Sequence, residues 1–227
     1  MSKTKLHDWD IAPKVAIQLQ RDLAGRVRLR PLGKRPRTVA GADIAIDRRT
    51  NFGVAAVIVF SYPGLEEVDR GVAKGKLPYP YIPGLLSFRE APLLLNAFSK
   101  LDRIPDVAVF DGQGIAHPRG LGLASHMGLW LEIPTIGCAK SRLVGDFKLP
   151  AAEAGSWSPM SYETCREKRR RVGACLRTRS GVKPVFVSPG HLIDLRNSIS
   201  IVLGCCDGLR IPKPTRMADR LVGELAR

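Results

Sequence analysis

The chain has 227 residues, with 36 Lys and Arg against 21 Asp and Glu, a formal net charge of +15. Hydrophobic residues make up 44% and charged residues 25%, the balance of a folded globular protein, so disorder throughout is excluded and one core spanning residues 1–227 is expected. No apolar run reaches the ~20 residues a membrane span needs, and the first ten residues lack the apolar core of a signal peptide, so a cytoplasmic protein is expected.

Taken in chain order, Ile11, Val15, Leu19 and Leu23, with Ala12 and Ala16, recur every three to four residues and predict an amphipathic helix within 8–25. A basic loop over 26–37 follows. Three strand-like segments, 38–47, 52–62 and 65–76, have separators short enough for hairpins and predict an antiparallel meander. Beyond the stiff loop 78–84, a helix over 87–101, a strand over 106–111, a helix over 121–132 and a strand over 134–138 alternate in the βαβ manner and predict parallel strands. Residues 149–159, rich in Ala, Gly, Ser and Pro, read as a surface loop. A hairpin over 177–187 and helices over 190–203 and 215–225 complete the chain. A meander followed by crossovers corresponds to an α/β, ribonuclease H-like mixed sheet flanked by helices in a single domain.

Three carboxylates stand where a carboxylate is costly. Asp43 interrupts the apolar run 39–46, Asp111 ends the run 107–110, and a buried carboxylate must be paired, protonated or bound to a cation. Glu90 falls at the start of the intervening helix, where Ser87-Phe-Arg-Glu90 also fits a capping box. Few, hard oxygen ligands suit Mg²⁺ or Mn²⁺ rather than zinc. His117, in the glycine-rich run 111–122, is either an acid, phosphate donor or water positioner, or a solvated loop histidine. Tyr81 and Ile82, between Pro80 and Pro83, form either a wedge that unstacks bases or a rigid connector. The runs 166–183 and 26–37 carry the excess basic charge and suit a phosphate backbone, with a solvated face or an anionic membrane surface as rivals. Five cysteines, Cys138, Cys165, Cys175, Cys205 and Cys206, are odd in number and lack a C-x-x-C pair, so reduced thiols are expected.

Seven motifs in order, Gly41-Ala-Asp43, 80–84, Phe88-Arg-Glu90, 111–119, 137–141, 187–191 and 214–219, resemble the endonuclease V family of deoxyinosine 3′ endonucleases over nearly the whole chain. The resemblance implies Mg²⁺-dependent hydrolysis, with Mn²⁺ able to substitute, of the second phosphodiester bond 3′ to a hypoxanthine nucleotide, leaving 3′-hydroxyl and 5′-phosphate ends. It implies that Asp43, Glu90 and Asp111 bind metal and that His117 and Lys140 stand near the scissile phosphate. Tyr81 corresponds to the wedge, and Gly84, Leu86, Gly112 and Gly137 to the pocket for the displaced base. Asp219 occupies a position where some members carry histidine as a further metal-site residue. The expected partner is deoxyinosine-containing DNA, with inosine-containing RNA as an alternative substrate; a non-catalytic nucleic-acid-binding protein is the alternative outside enzymes. A monomer is expected.

Overall fold

The computed structural model describes residues 6–77, 79–164 and 167–227; Pro78 of the proline loop, Cys165 and Arg166 lie outside the described residues. The order of elements is α1 (Pro13–Ala24), β1 (Thr38–Asp47), β2 (Phe52–Ser61), β3 (Glu67–Lys76), α2 (Leu86–Phe98), β4 (Val107–Phe110), α3 (Leu123–Leu131), β5 (Thr135–Ala139), β6 (Trp157–Thr164), β7 (Glu167–Leu176), β8 (Val185–His191), α4 (Leu195–Gly204) and α5 (Lys213–Leu225). The strands form one eight-stranded sheet in the order β3-β2-β1-β4-β5-β8-β7-β6. β1, β2 and β3 are the predicted antiparallel meander, and β4 lies parallel to both β1 and β5. This is the ribonuclease H-like mixed sheet expected from the sequence.

Alternation along β1 divides the core. Ala40 and Ala42 face a cluster with Leu94, Ala97, Phe98, Phe110 and Met127 beneath α2 and α3. Val39, Val107 and Val109 face the other side, with Ile136, Val187, Ile199 and Val202 beneath α4. Because β4 is covered on both faces, all four of its residues are buried, which is why it reads as a continuous apolar run rather than an alternating one.

Several boundaries differ from those predicted, each for an identifiable reason. Pro13 opens α1, because a proline is tolerated at the first helical position; the buried stripe is Ala16, Gln20 and Leu23, while Val15 is 54% exposed. The stretch read as a loop through Pro159 enters β6 at Trp157, and Pro159 is accommodated because β6 is the edge strand of the sheet. The basic run forms the outer half of β7: Lys168, Arg169, Arg170 and Arg171 are exposed, whereas Val172 to Leu176 are buried. The hairpin expected over 177–187 is the longer connection from β7 to β8, paired at Leu176 and Val185. Gly190 and His191 finish β8 rather than open a helix; α4 starts at Leu195, where Asp194 caps it by accepting from the Asn197 N–H at 2.7 Å. The capping box at Ser87 and Glu90 does not form: α2 starts at Leu86, and Ser87 Oγ instead bonds His126 Nδ1 at 2.9 Å. Cys138, Cys175, Cys205 and Cys206 are free thiols. No helix among the described residues is long and apolar enough to cross a membrane.

Candidate active site

The pairing of β1 with β4 runs from Val39↔Val107 to Ala42↔Phe110, so Asp43 and Asp111 follow side by side in the next register position. Neighbouring strands lie about 4.8 Å apart, and the two carboxylates share the face of Gly41 and Val109. Burial, with the charges of Asp111 and Asp219 added to it, raises Asp43 to about 7 against the opposing N–H of Ile44. Glu90 comes from α2 on the other side of the sheet. Burial and then the charge of Asp43 raise it to about 8, with Asp111 adding to the effect and Arg89 opposing it. Arg89 itself is committed to the fold, donating to the Tyr79 carbonyl and the Asn51 side chain.

The fourth acid is delivered by close packing. A Cβ at Gly41 would lie 2.0–2.4 Å from the Pro214 carbonyl and the Thr215 nitrogen, so only glycine lets the start of α5 rest directly on β1. That contact sets Asp219, less than two turns further along α5, close enough to hydrogen-bond Asp43. Lys140, just past β5, supplies the counter-charge: its Nζ lies 2.7 Å from Asp111 and 3.6 Å from Asp219. Burial pulls the Lys140 ammonium down, but Asp111, Asp219 and Asp43 together outweigh it and raise it. Among the described residues, no three His, Cys, Asp or Glu side chains are drawn into a finished ligand shell, although the four acids act on one another's charge. Two carboxylates raised toward neutrality by burial and mutual repulsion are a donor set that a hard divalent cation fits, because the cation supplies the missing positive charge.

A cleft of about 390 Å³ adjoins the acids, lined in part by Asp111, Gly112, Lys140, Tyr81, Ile82, Gly84, Leu86 and His117. Tyr81 stands 69% exposed at its mouth. Ile82 to Leu85 form a turn closed by the Leu85 N–H on the Ile82 carbonyl at 2.9 Å, with Pro83 and then Gly84 at φ +79° in the central positions. Proline followed by a left-handed glycine is the requirement of a type II turn. Gly137 does not line the cleft; it lies buried beneath it, where a Cβ would meet Gly114 N, Gly112 O and Gln113 C at 2.5–2.7 Å. Its part is to let β5 support the Gly112 backbone from below.

His117 stands in the cleft wall with both ring nitrogens engaged. It is buried, its Nε2 donates to the Gly84 carbonyl (3.1 Å), and its Nδ1 accepts from the Arg119 N–H (3.2 Å). Burial and the Arg119 charge lower it to about 4, so it is neutral at pH 7 with both nitrogens occupied. Neither a free proton donor nor a solvated loop residue, it ties two backbone segments together. Sequence reasoning missed its companions Gln20 and Arg119, both also bonded to the Gly84 region. The readable signal for Gln20 was a polar residue in register with Ala16 and Leu23 on the buried stripe of α1. Of the first basic run, Lys34 and Arg37 contact Asp106, at the end of β4 remote from Asp111. Arg177 is buried and spent on the carbonyls of Pro150, Ala151 and Val182. A larger groove, about 460 Å³, lies beside that remote end, between Arg30 and Pro36 on one side and Ile104 to Val107 on the other. It holds no acid besides Asp106, so volume alone does not mark the chemistry.

Carboxylates on adjacent central strands of a ribonuclease H-like sheet, with a lysine among them and a cleft alongside, define a protein of the nuclease class built on this fold. Residues 21–220 match the family model of endonuclease V. The chain is 50% identical over 221 residues to the endonuclease V of Dehalococcoides mccartyi, covering 97% of each. Among solved structures, endonuclease V from Streptomyces avermitilis superposes with a TM-score of 0.88 at 40% identity, over 96% of this chain and 94% of that one. Endonuclease V from Ciona intestinalis, solved with a 23-mer DNA containing an inosine followed by a ribo-adenosine, superposes with a TM-score of 0.79 at 26% identity, over 95% and 98%. This chain belongs to the endonuclease V family.

Proposed function

We propose that this protein is a DNA repair endonuclease that recognises deoxyinosine and hydrolyses the second phosphodiester bond on its 3′ side in a Mg²⁺-dependent reaction, leaving 3′-hydroxyl and 5′-phosphate ends. The observation that carries the proposal is the side-by-side placement of Asp43 and Asp111 within the field of Glu90, beside a cleft with Tyr81 at its mouth. Family membership and the inosine-containing DNA bound by the Ciona relative support the same reading.

Asp43, Glu90 and Asp111, with Asp219 alongside, would hold the metal, which when bound stabilises charge on the phosphate and lowers the pKa of a bound water. Mn²⁺ presents the same hard-ligand preference and is expected to substitute. Lys140, already paired with Asp111, places a positive charge where a phosphate oxygen gains negative charge. Tyr81 fills the gap in the stack, and the base it displaces enters the cleft against the backbone of Gly84, Leu86 and Gly112. Hypoxanthine is favoured because it pairs weakly and costs less to extract. A cut away from the lesion follows where the seat of the base and the acids are offset along the bound strand. His117 enters this scheme as support beneath the Tyr81 loop, not as a proton carrier.

A labelled duplex with one deoxyinosine tests this. A single nick at the second 3′ bond that requires Mg²⁺ and falls by about 10³-fold or more in Asp43→Asn is expected. Nicking by Asp43→Asn at the wild-type rate refutes the assignment. The ribo-adenosine in the Ciona complex favours a second reading, cleavage of inosine in RNA. Paired DNA and RNA substrates of one sequence separate the two through the 2′-hydroxyl.

A further inference from the structure

The loop bearing Tyr81 is fastened from outside the carboxylate site. The Gly84 carbonyl accepts three donors: Gln20 Nε2 at 3.0 Å, Arg119 Nη2 at 2.6 Å and His117 Nε2 at 3.1 Å. On its other side the same peptide is held by the Leu85 N–H on Ile82 O. Gln20 joins the set. Its Nε2 also reaches the Leu121 carbonyl at 3.2 Å, and its Oε1 accepts from Arg119 Nε at 2.5 Å. At 1% exposure, Gln20 keeps an amide in the buried stripe of α1, where an apolar side chain would otherwise pack. A polar group buried there is stable only because each of its bonds is made. Gly84 is disfavoured for any side chain by its φ of +79°, and a Cβ there would stand 2.5 Å from Arg119 Nη2 and push it aside.

We infer that Gln20, acting with Arg119, is a positioning residue for base displacement: it fixes the Gly84 peptide so that Tyr81 and Ile82 are presented as a rigid wedge. The inference rests on the proposed reading of the Tyr81 loop. Rigidity matters because a wedge that must be ordered on contact with DNA loses part of its binding energy to that ordering. Gln20 is part of the cleft wall, but its hydrogen bonds go to Gly84, Leu121 and Arg119 and to none of the acids, so its effect falls on displacing and seating the base and not on phosphodiester hydrolysis.

The test uses the full-length protein with Gln20→Met, which keeps length and apolar volume but removes both the donor and the acceptor, and Arg119→Lys as a second variant that keeps charge but loses the bond to Gln20. On a deoxyinosine duplex, KM is expected to rise about 5- to 10-fold, with kcat within about 2-fold of wild type. On single-stranded deoxyinosine DNA, where no stack must be opened and only the seating of the base against Gly84 is affected, both variants are expected to lose clearly less than on duplex. Amide hydrogen exchange at Leu85 in the DNA-free protein is expected to speed up about 5- to 10-fold. This last measurement does not depend on cleavage, so an inert wild-type enzyme would count against the proposed function while leaving the pinning of the loop testable. Unchanged exchange at Leu85, or equal losses on duplex and single strand, overturns the inference.

Discussion

Glu90→Gln in the metal-free protein isolates the cost of gathering the acids. In the folded state Glu90 is raised from 4.5 to about 8 by burial and by the charge of Asp43, so it keeps its proton over an interval in which the unfolded chain has released it. Where the folded state binds more protons, stability falls as pH rises, here from about pH 4.5 through about pH 8. At about 1.36 kcal/mol per unit, the ceiling on the loss between the unfolded pKa and pH 8 is about 5 kcal/mol. Solvent screening at a side chain that is only partly covered brings the expected effect to about 1–2 kcal/mol. Asp43, raised to about 7, acts with the same sign. Urea denaturation in EDTA at pH 5 and pH 8 is the assay. Glu90→Gln should match wild type within about 1 kcal/mol at pH 5 and exceed it by about 1–2 kcal/mol at pH 8, because glutamine has no charge to desolvate. Millimolar Mg²⁺ should stabilise wild type at pH 8 and the variant much less, since ion binding to the folded state adds stability by mass action. A variant less stable than wild type at pH 8, or one with an undiminished dependence on pH, refutes the reasoning.

Gly41→Ala drives a methyl group to within 2.4 Å of the backbone at Pro214 and Thr215; it should cost about 1–3 kcal/mol in denaturation and lower cleavage by shifting Asp219, and wild-type values for both would contradict the packing argument. Lys140→Met removes the 2.7 Å pair with Asp111, yet Lys140 is 45% exposed, so stability should change by less than about 1 kcal/mol while single-turnover cleavage falls about 10²-fold. Tyr81→Ala should leave the melting temperature unchanged, because the ring is exposed, and raise KM on duplex but not on single-stranded substrate; equal loss on both would remove the wedge assignment.

Local pattern was enough for the meander and for the odd setting of Asp43 and Asp111, because strand periodicity and an acid within an apolar run are properties of neighbouring residues. β6 and β7 were not legible: Trp157 to Thr164 begins among loop-forming residues, and the outer half of β7 is a row of cations whose strand geometry comes from pairing with a neighbour. Glu90 could be read as a helix cap until the fold gave Ser87 a different partner in His126. His117 carried two readings in the sequence, and three-dimensional proximity to the Gly84 carbonyl and the Arg119 N–H supplied a third.

By itself the sequence determined the mixed α/β architecture, the metal-suited carboxylates and the excess of positive charge, since all of these follow from composition, period and order along the chain. Only the tertiary structure decided that the Asp43 and Asp111 positions adjoin, that α5 rests on Gly41 to bring Asp219 to them, and that Gln20 holds the turn beside Tyr81. These depend on strand order, register and backbone contact between segments from about 60 to 180 residues apart, distances over which local propensity carries no information.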